Sequence, residues 1–162
     1  MRLLIWSAFA AFLVDQASKY VVIHLWQLWR VREIDVLPPL LNFRYGENRG
    51  INFGLGDGVS AWVLIGLAVL ICAAVVFWAS RTNLGKLGNI SAGILIGGAL
   101  ANVVDRLVYG YVLDFLNMSC CGIDNPFVFN VADVFIFAGA IGLIFFVDDK
   151  KAANGKRAKK RQ

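Results

Sequence analysis

Two aspartates stand where a carboxylate is costly. Asp133 sits in Phe129-Asn130-Val131-Ala132-Asp133, at the mouth of an apolar run that carries no further charge up to Val147. Asp114 lies upstream in Tyr111-Val112-Leu113-Asp114-Phe115, also without a basic neighbour. Hydrocarbon does not solvate charge, so an ionisable group at the edge of lipid is a functional hypothesis by default. Burial raises a carboxyl pKa, and a second carboxylate nearby raises one member of the pair further. Two such groups sharing one proton titrate as a unit. The ionised member can then activate water while the protonated one polarises a carbonyl. The alternative is two unrelated membrane carboxylates, since the sequence alone does not set them side by side.

The other aspartates have partners in reach. Asp15 and Lys19 are one helical turn apart, a spacing that permits an ion pair, so a neutralised structural pair is expected there. Asp105 adjoins Arg106 and follows Asn102 by one turn, which suggests a structural network. Other hydrolytic chemistries fare worse. His24 is the single histidine, and it reads as an interfacial or loop residue rather than part of a Ser-His-Asp triad. Ser18 and Lys19 are adjacent and do not face each other on a helix, which disfavours a serine–lysine nucleophile. A zinc site needs more than one histidine and two neighbouring cysteines, so no metal or other cofactor is expected. The glycine-rich stretches around Gly46–Gly50 and Gly54–Gly58 lack the lysine and the strand–loop–helix setting of a phosphate loop, and read as turns. Cys72 lies in an apolar run, and the adjacent Cys120 and Cys121 are poorly placed for a disulfide; packing is their expected role.

The elements that must carry these residues are membrane helices. Of 162 residues 59% are hydrophobic and only 17% charged, against the roughly 25% charged of a soluble domain. Four apolar segments are expected to form a four-transmembrane-helix bundle, at about 3–22, 61–79, 87–106 and 127–147. The first reads as a retained helix rather than a cleaved signal, because little apolar sequence precedes its Ala8-Phe9-Ala10. Gly93, Gly97, Gly98 and Ala101 form a small-residue stripe suited to close helix approach. Two runs flanking Pro38-Pro39, at 31–36 and 40–45, read as short strands, giving a small extracytoplasmic β-sheet in a loop spanning about 24–60. The fold class is thus an all-α membrane protein with a small outer sheet. Residues 1–149 form one domain, and 150–162 a basic cytoplasmic tail without the interleaved aromatics of a nucleic-acid binder.

Basic residues set the orientation. Arg81 and Lys86 flank the short second connection, and the basic tail follows the fourth helix, so both belong in the cytoplasm with both termini. The connections at 24–60 and 107–125 then face outward. Asp15, Lys19, Asn102, Asp105, Arg106, Asp114, Asn130 and Asp133 all gather at the outer boundary. A proton-coupled transporter is one rival reading, though carboxylates on one side only give no through-path. A non-enzymatic scaffold that binds helices through the small-residue stripe is another.

Five motifs in order then carry a resemblance. They are Asp15-Gln16-Ala17-Ser18-Lys19, Asn48-Arg49-Gly50-Ile51-Asn52-Phe53, the run from Gly97 to Arg106, Tyr109-Gly110-Tyr111-Val112-Leu113-Asp114-Phe115, and Phe129-Asn130-Val131-Ala132-Asp133. Together, over nearly the whole chain but for the basic tail, they resemble the bacterial lipoprotein signal peptidases, the type II signal peptidase family of aspartic endopeptidases. The resemblance implies that Asp114 and Asp133 are the catalytic dyad. It implies supporting roles in shaping the site or holding substrate for Asp15, Lys19, Asn48, Gly50, Asn102, Asp105, Arg106 and Asn130. It implies a diacylglyceryl-modified prolipoprotein substrate, cut on the amino side of the lipidated cysteine. Membrane lipids are the other expected partner, nucleic acid is not expected, and the enzyme is expected as a monomer in the bacterial inner membrane. Ala101 and Asn52 depart from the family pattern, standing where a glycine and a small residue are usual.

Overall fold

A computed structural model describes residues 1–50, 60–122 and 125–147. Asn52, Phe53, the glycine-rich stretch Gly54–Gly58 and the basic tail lie outside them. The described chain is mostly helical, with one small antiparallel sheet. Helix α1 spans Arg2–Lys19 and continues as a π-helical turn over Tyr20–Leu25. A short helix α2, Leu28–Val31, leads into strands β1, Glu33–Leu37, and β2, Leu41–Asn48. Helices α3, Ala61–Arg81, and α4, Gly85–Tyr109, follow. Strand β3, Val112–Asn117, and helix α5, Val131–Val147, complete the order.

Helix α4 is the centre, packed by α1, α5 and α3. Its glycines explain how. A Cβ at Gly97 would run into the Ala8 carbonyl and the Ala11 side chain of α1. One at Gly98 would lie 2.6 Å from the Ala132 carbonyl oxygen of α5. Both neighbours are seated against backbone, as the small-residue stripe anticipates. Among the described residues, α3 and α4 are long and apolar enough to cross a membrane, and Val131–Phe146 is a shorter apolar helix. The outward faces are apolar: Trp62, Leu70, Phe137 and Ile144 are each at least 66% exposed. Such a surface suits lipid and not water.

The sheet has the order β1-β2-β3, antiparallel throughout. The two strands expected around Pro38-Pro39 are present, but the sheet is not confined to the loop at 24–60. Its third strand comes from the connection after α4 and carries Asp114. All but one of its residues are buried, so it lacks the apolar–polar alternation that marks a half-exposed strand. The register of β2 against β3 shifts between Phe43 and Gly46, and Gly46 then pairs with Asp114. Such irregularities re-aim side chains beside functional sites. Helix α5 begins at Val131 rather than near 127, because Phe129 is extended and pairs with Leu116 through its N–H and C=O.

Two apolar clusters flank a polar layer. Leu4, Leu95, Ile96 and Ala99 belong to the first. Val22, Ile23, Leu28, Phe43, Leu113 and Phe115 form the second, which includes the sheet. Along α1 the polar residues Asp15 and Lys19 fall between Leu4 and Val22. Along α4, Asn102 and Asp105 follow Ala99.

Candidate active site

Asp133 owes its place to the start of α5. The first N–H groups of a helix have no partner within it. Here the Asn130 Oδ1 accepts the Asp133 N–H at 2.9 Å, and Asp133 Oδ2 accepts the Asn130 N–H at 3.2 Å. This is a reciprocal capping box made from Asn and Asp. Asp15 Oδ1 accepts the next orphan donor, the Ala132 N–H, at 2.7 Å. Asp133 is therefore half-buried in the first turn of a helix, where the aligned peptide dipoles favour negative charge.

Asp114 is held differently. It is 2% exposed on β3, paired with β2. Its Oδ1 accepts from Asn130 Nδ2 at 2.6 Å and its Oδ2 from Asn48 Nδ2 at 3.0 Å. Burial pushes its carboxyl up from 3.8 to about 7, and the charge of Asp133 adds to this. The amides of Asn130 and Asn48 and the ammonium of Lys19 work in the opposite direction.

Two asparagines join the aspartates. Asn130 donates to Asp114 and, at 3.2 Å, to Asn102 Oδ1. Asn102 in turn donates its Nδ2 to Asp133 Oδ1 at 3.0 Å. The sequence Asp114–Asn130–Asn102–Asp133 is thus one hydrogen-bonded chain. It orients both carboxyl groups and fixes the amide orientations, since each amide oxygen and nitrogen has a designated partner.

Lys19 lies behind this chain, 3% exposed. Its ammonium is 2.8 Å from Asp15 Oδ2, 2.6 Å from Asp105 Oδ2, and donates to Asn102 Oδ1 at 3.2 Å. All three of its donors are used. The Asp15–Lys19 pair is as the spacing suggests, while Asp105 pairs with Lys19 rather than with its neighbour Arg106. Arg106 reaches the backbone, donating to the Gly50 carbonyl at 2.9 Å and to the Asn102 carbonyl at 3.4 Å. The Gly50 N–H donates to Asn48 Oδ1 at 3.2 Å, so Arg106 and Asn48 together hold the end of β2 against Asp114. Every residue singled out from sequence as a site candidate meets in this one network.

Gln16 joins them without having stood out in the sequence. Its Nε2 donates to Asp105 Oδ1 at 3.0 Å and lies 3.4 Å from both Asp15 Oδ2 and the Ala101 carbonyl. The available signal is a polar residue between Asp15 and Lys19, next to the apolar stretch that fills most of α1. Ala101 itself is fully buried against this contact. Cys120 and Cys121, expected to pack the outer connection, are instead exposed free thiols. Among the described residues no three His, Cys, Asp or Glu side chains converge as a metal cage.

An apolar-surfaced helical bundle with a buried carboxylate–amide centre defines a class, the membrane-embedded enzymes. The comparisons with known proteins narrow it. The family model for signal peptidase (SPase) II matches residues 7–147. A lipoprotein signal peptidase of Alteromonas mediterranea is 36% identical over 163 residues, covering 96% of this chain and 87% of its own. One from a Methylobacterium species is 38% identical over 141 residues, covering 85% of this chain and 84% of its own. A bacterial membrane enzyme solved by the in meso method shares the fold, with a TM-score of 0.76 at 24% identity. That match covers 100% of this chain and 93% of the other. The chain belongs to the signal peptidase II family, and is a membrane peptidase of lipoprotein processing.

Proposed function

We propose that this peptidase removes the signal peptide from diacylglyceryl-modified prolipoproteins, cutting on the amino side of the lipidated cysteine with water activated by Asp114 and Asp133. The observation that carries the reading is the hydrogen-bonded chain linking the two aspartates through Asn130 and Asn102. Asp133, half-buried in the first turn of α5, is placed to act on a water. Asp114, buried and pushed up to about 7, is the better placed to hold the shared proton. Asp133 takes a proton from water, and the hydroxide attacks the scissile carbonyl carbon. Asp114 gives its proton to the carbonyl oxygen, forming a neutral tetrahedral diol. Asp133 then delivers its proton to the leaving nitrogen as the C–N bond breaks, and one diol proton returns to Asp114. The dyad ends with the single proton it began with, and no covalent intermediate forms. Asn48, Gly50, Asn102, Arg106 and Asn130 shape the site around these groups.

The setting is a four-span bundle in the bacterial inner membrane, α1, α3, α4 and α5 crossing it, with both termini cytoplasmic and the sheet outside. Residues 1–149 are the catalytic domain, working as a monomer among membrane lipids, and 150–162 its cytoplasmic tail. The lipid anchor and the helix of the precursor would hold the scissile bond at the bilayer edge, level with the polar layer. The test is to incubate purified enzyme with a precursor carrying or lacking the diacylglyceryl group and to weigh the products. Cleavage of the lipidated precursor alone, leaving the modified cysteine at the new N-terminus, is expected. Folded enzyme that leaves the lipidated precursor intact, or cuts elsewhere, overturns the reading.

A further inference from the structure

The amide chain orients the two carboxyl groups, but it does not set how far apart their backbones lie. Asp114 is on a strand and Asp133 on a helix, and the Leu116–Phe129 bridge joins the two segments beyond Asp114 and ahead of α5 without gripping the residue before either aspartate. A second set of contacts lies behind them. Asp15 Oδ1 accepts the N–H of Ala132, the residue before Asp133, at 2.7 Å. Asp105 Oδ2 accepts the N–H of Leu113, the residue before Asp114, at 3.1 Å. Lys19 draws these two carboxylates together at 2.8 and 2.6 Å. Gln16 ties them a second time, its Nε2 lying between Asp105 Oδ1 and Asp15 Oδ2.

We propose that Asp15, Lys19 and Asp105 form a yoke that fixes the separation of the two aspartates by gripping the backbone immediately before each. They are positioning residues and touch no substrate. The inference rests on the function proposed above. It explains why a lysine and two aspartates are kept almost free of solvent. A buried ion pair is weak evidence of stability, because well-packed apolar residues often do as well or better. A device that must hold two strongly directional acceptors at one spacing needs a cation with several donors between them, and Lys19 spends all three of its donors inside the site. Its third donor goes to Asn102, so the yoke and the amide chain share a member. Among the described residues, the charged and titratable groups around the pair are Asp15 and Lys19 from α1 and Asp105 and Arg106 from α4, with the amides of Asn48, Asn102 and Asn130.

The test compares wild type with the triple variant D15N/K19M/D105N and the single variant D105N. In the triple variant both amide oxygens can still accept the backbone N–H groups and no unpaired charge is buried among the three; the tie between the grips is lost, together with the Lys19 donor to Asn102, whose Oδ1 keeps Asn130 as its partner. The thermal midpoint should stay close to wild type, while kcat falls by about 100-fold, the penalty for displacing reacting groups by about 1 Å. KM should change little, because no substrate contact is removed. The pH–rate profile should also move, but loss of the Lys19 charge alone raises Asp114, so the fall in kcat at the optimum pH with KM little changed is the readout of the spacing. D105N loosens only the β3 half and keeps the Lys19 charge, so it should show a smaller fall in kcat, about 10-fold, with KM again little changed. If either variant folds and keeps wild-type kcat at the optimum pH, the yoke is overturned. D114N and D133N run beside them separate the two claims: cleavage at the wild-type rate by either would overturn the dyad itself, whatever the yoke variants do.

Discussion

Asp114 should make the enzyme less stable as pH rises, and the effect can be sized. Its carboxyl titrates at about 7 when folded and near 3.8 when exposed to water. Below the lower value the group is protonated in both states, and the stabilisation from holding the proton is fully present. As pH climbs toward the folded value the unfolded chain releases its proton first, so stability is lost progressively and the loss is complete above about 7. Between pH 5 and pH 8 these two values correspond to on the order of 2.5 kcal/mol. For a chain of this size that is roughly 5 to 10 °C in the unfolding midpoint. Other groups titrate too, so the informative quantity is the difference between wild type and Asp114→Asn. The asparagine keeps an acceptor for Asn130 but turns an amide nitrogen toward Asn48, a penalty of about 1 kcal/mol that does not depend on pH. Thermal unfolding in detergent at pH 5, 6, 7 and 8 should show the variant gaining on wild type at each step. A difference that stays constant across the series, or one that moves in favour of wild type, would refute the burial argument for Asp114.

Asn130→Ala removes the α5 cap and the bridge between the aspartates; it should lose about 1 kcal/mol of stability by thermal unfolding and far more activity than that loss explains. Gly98→Ala should lower the unfolding midpoint, as an added Cβ would sit 2.6 Å from the Ala132 carbonyl, an overpacking of about 1–3 kcal/mol. Gly66→Ala, with nothing within 4 Å, is its control and should leave the midpoint unharmed. Cys120→Ser with Cys121→Ser should leave the cleavage rate unchanged, because both thiols are exposed and outside the network.

The site is more legible in the sequence than the sheet that carries half of it. Asp133 announces itself as a charge in an apolar run, whereas the capping role of Asn130 is hidden by a helix expected to start near 127. Asp15 and Lys19 are a helical pair by position alone. Asp105 shows how far that logic reaches: Arg106 is next in sequence, yet the partner of Asp105 is Lys19 on another helix, a contact that only packing creates. Strand β3 is hidden because nearly every residue is buried, which erases the alternation that identifies a strand. The late start of α5 is hidden for a related reason. Phe127, Val128 and Phe129 extend the apolar pattern upstream of Val131, and the pairing of Phe129 with Leu116 is what makes that residue extended. Gln16 has no spacing signal, since its partners Asp105 and Ala101 come from α4.

The central claim is that Asp114 and Asp133 are two halves of one proton-sharing unit, and single-turnover cleavage of a diacylglyceryl-modified precursor tests it most directly. Wild type, D114N and D133N are compared at equal folded concentration near pH 7. Wild type should cleave, and each variant should lose about 10²- to 10⁴-fold, the range for a removed general acid or base. Cleavage at the wild-type rate by either folded variant would contradict the account.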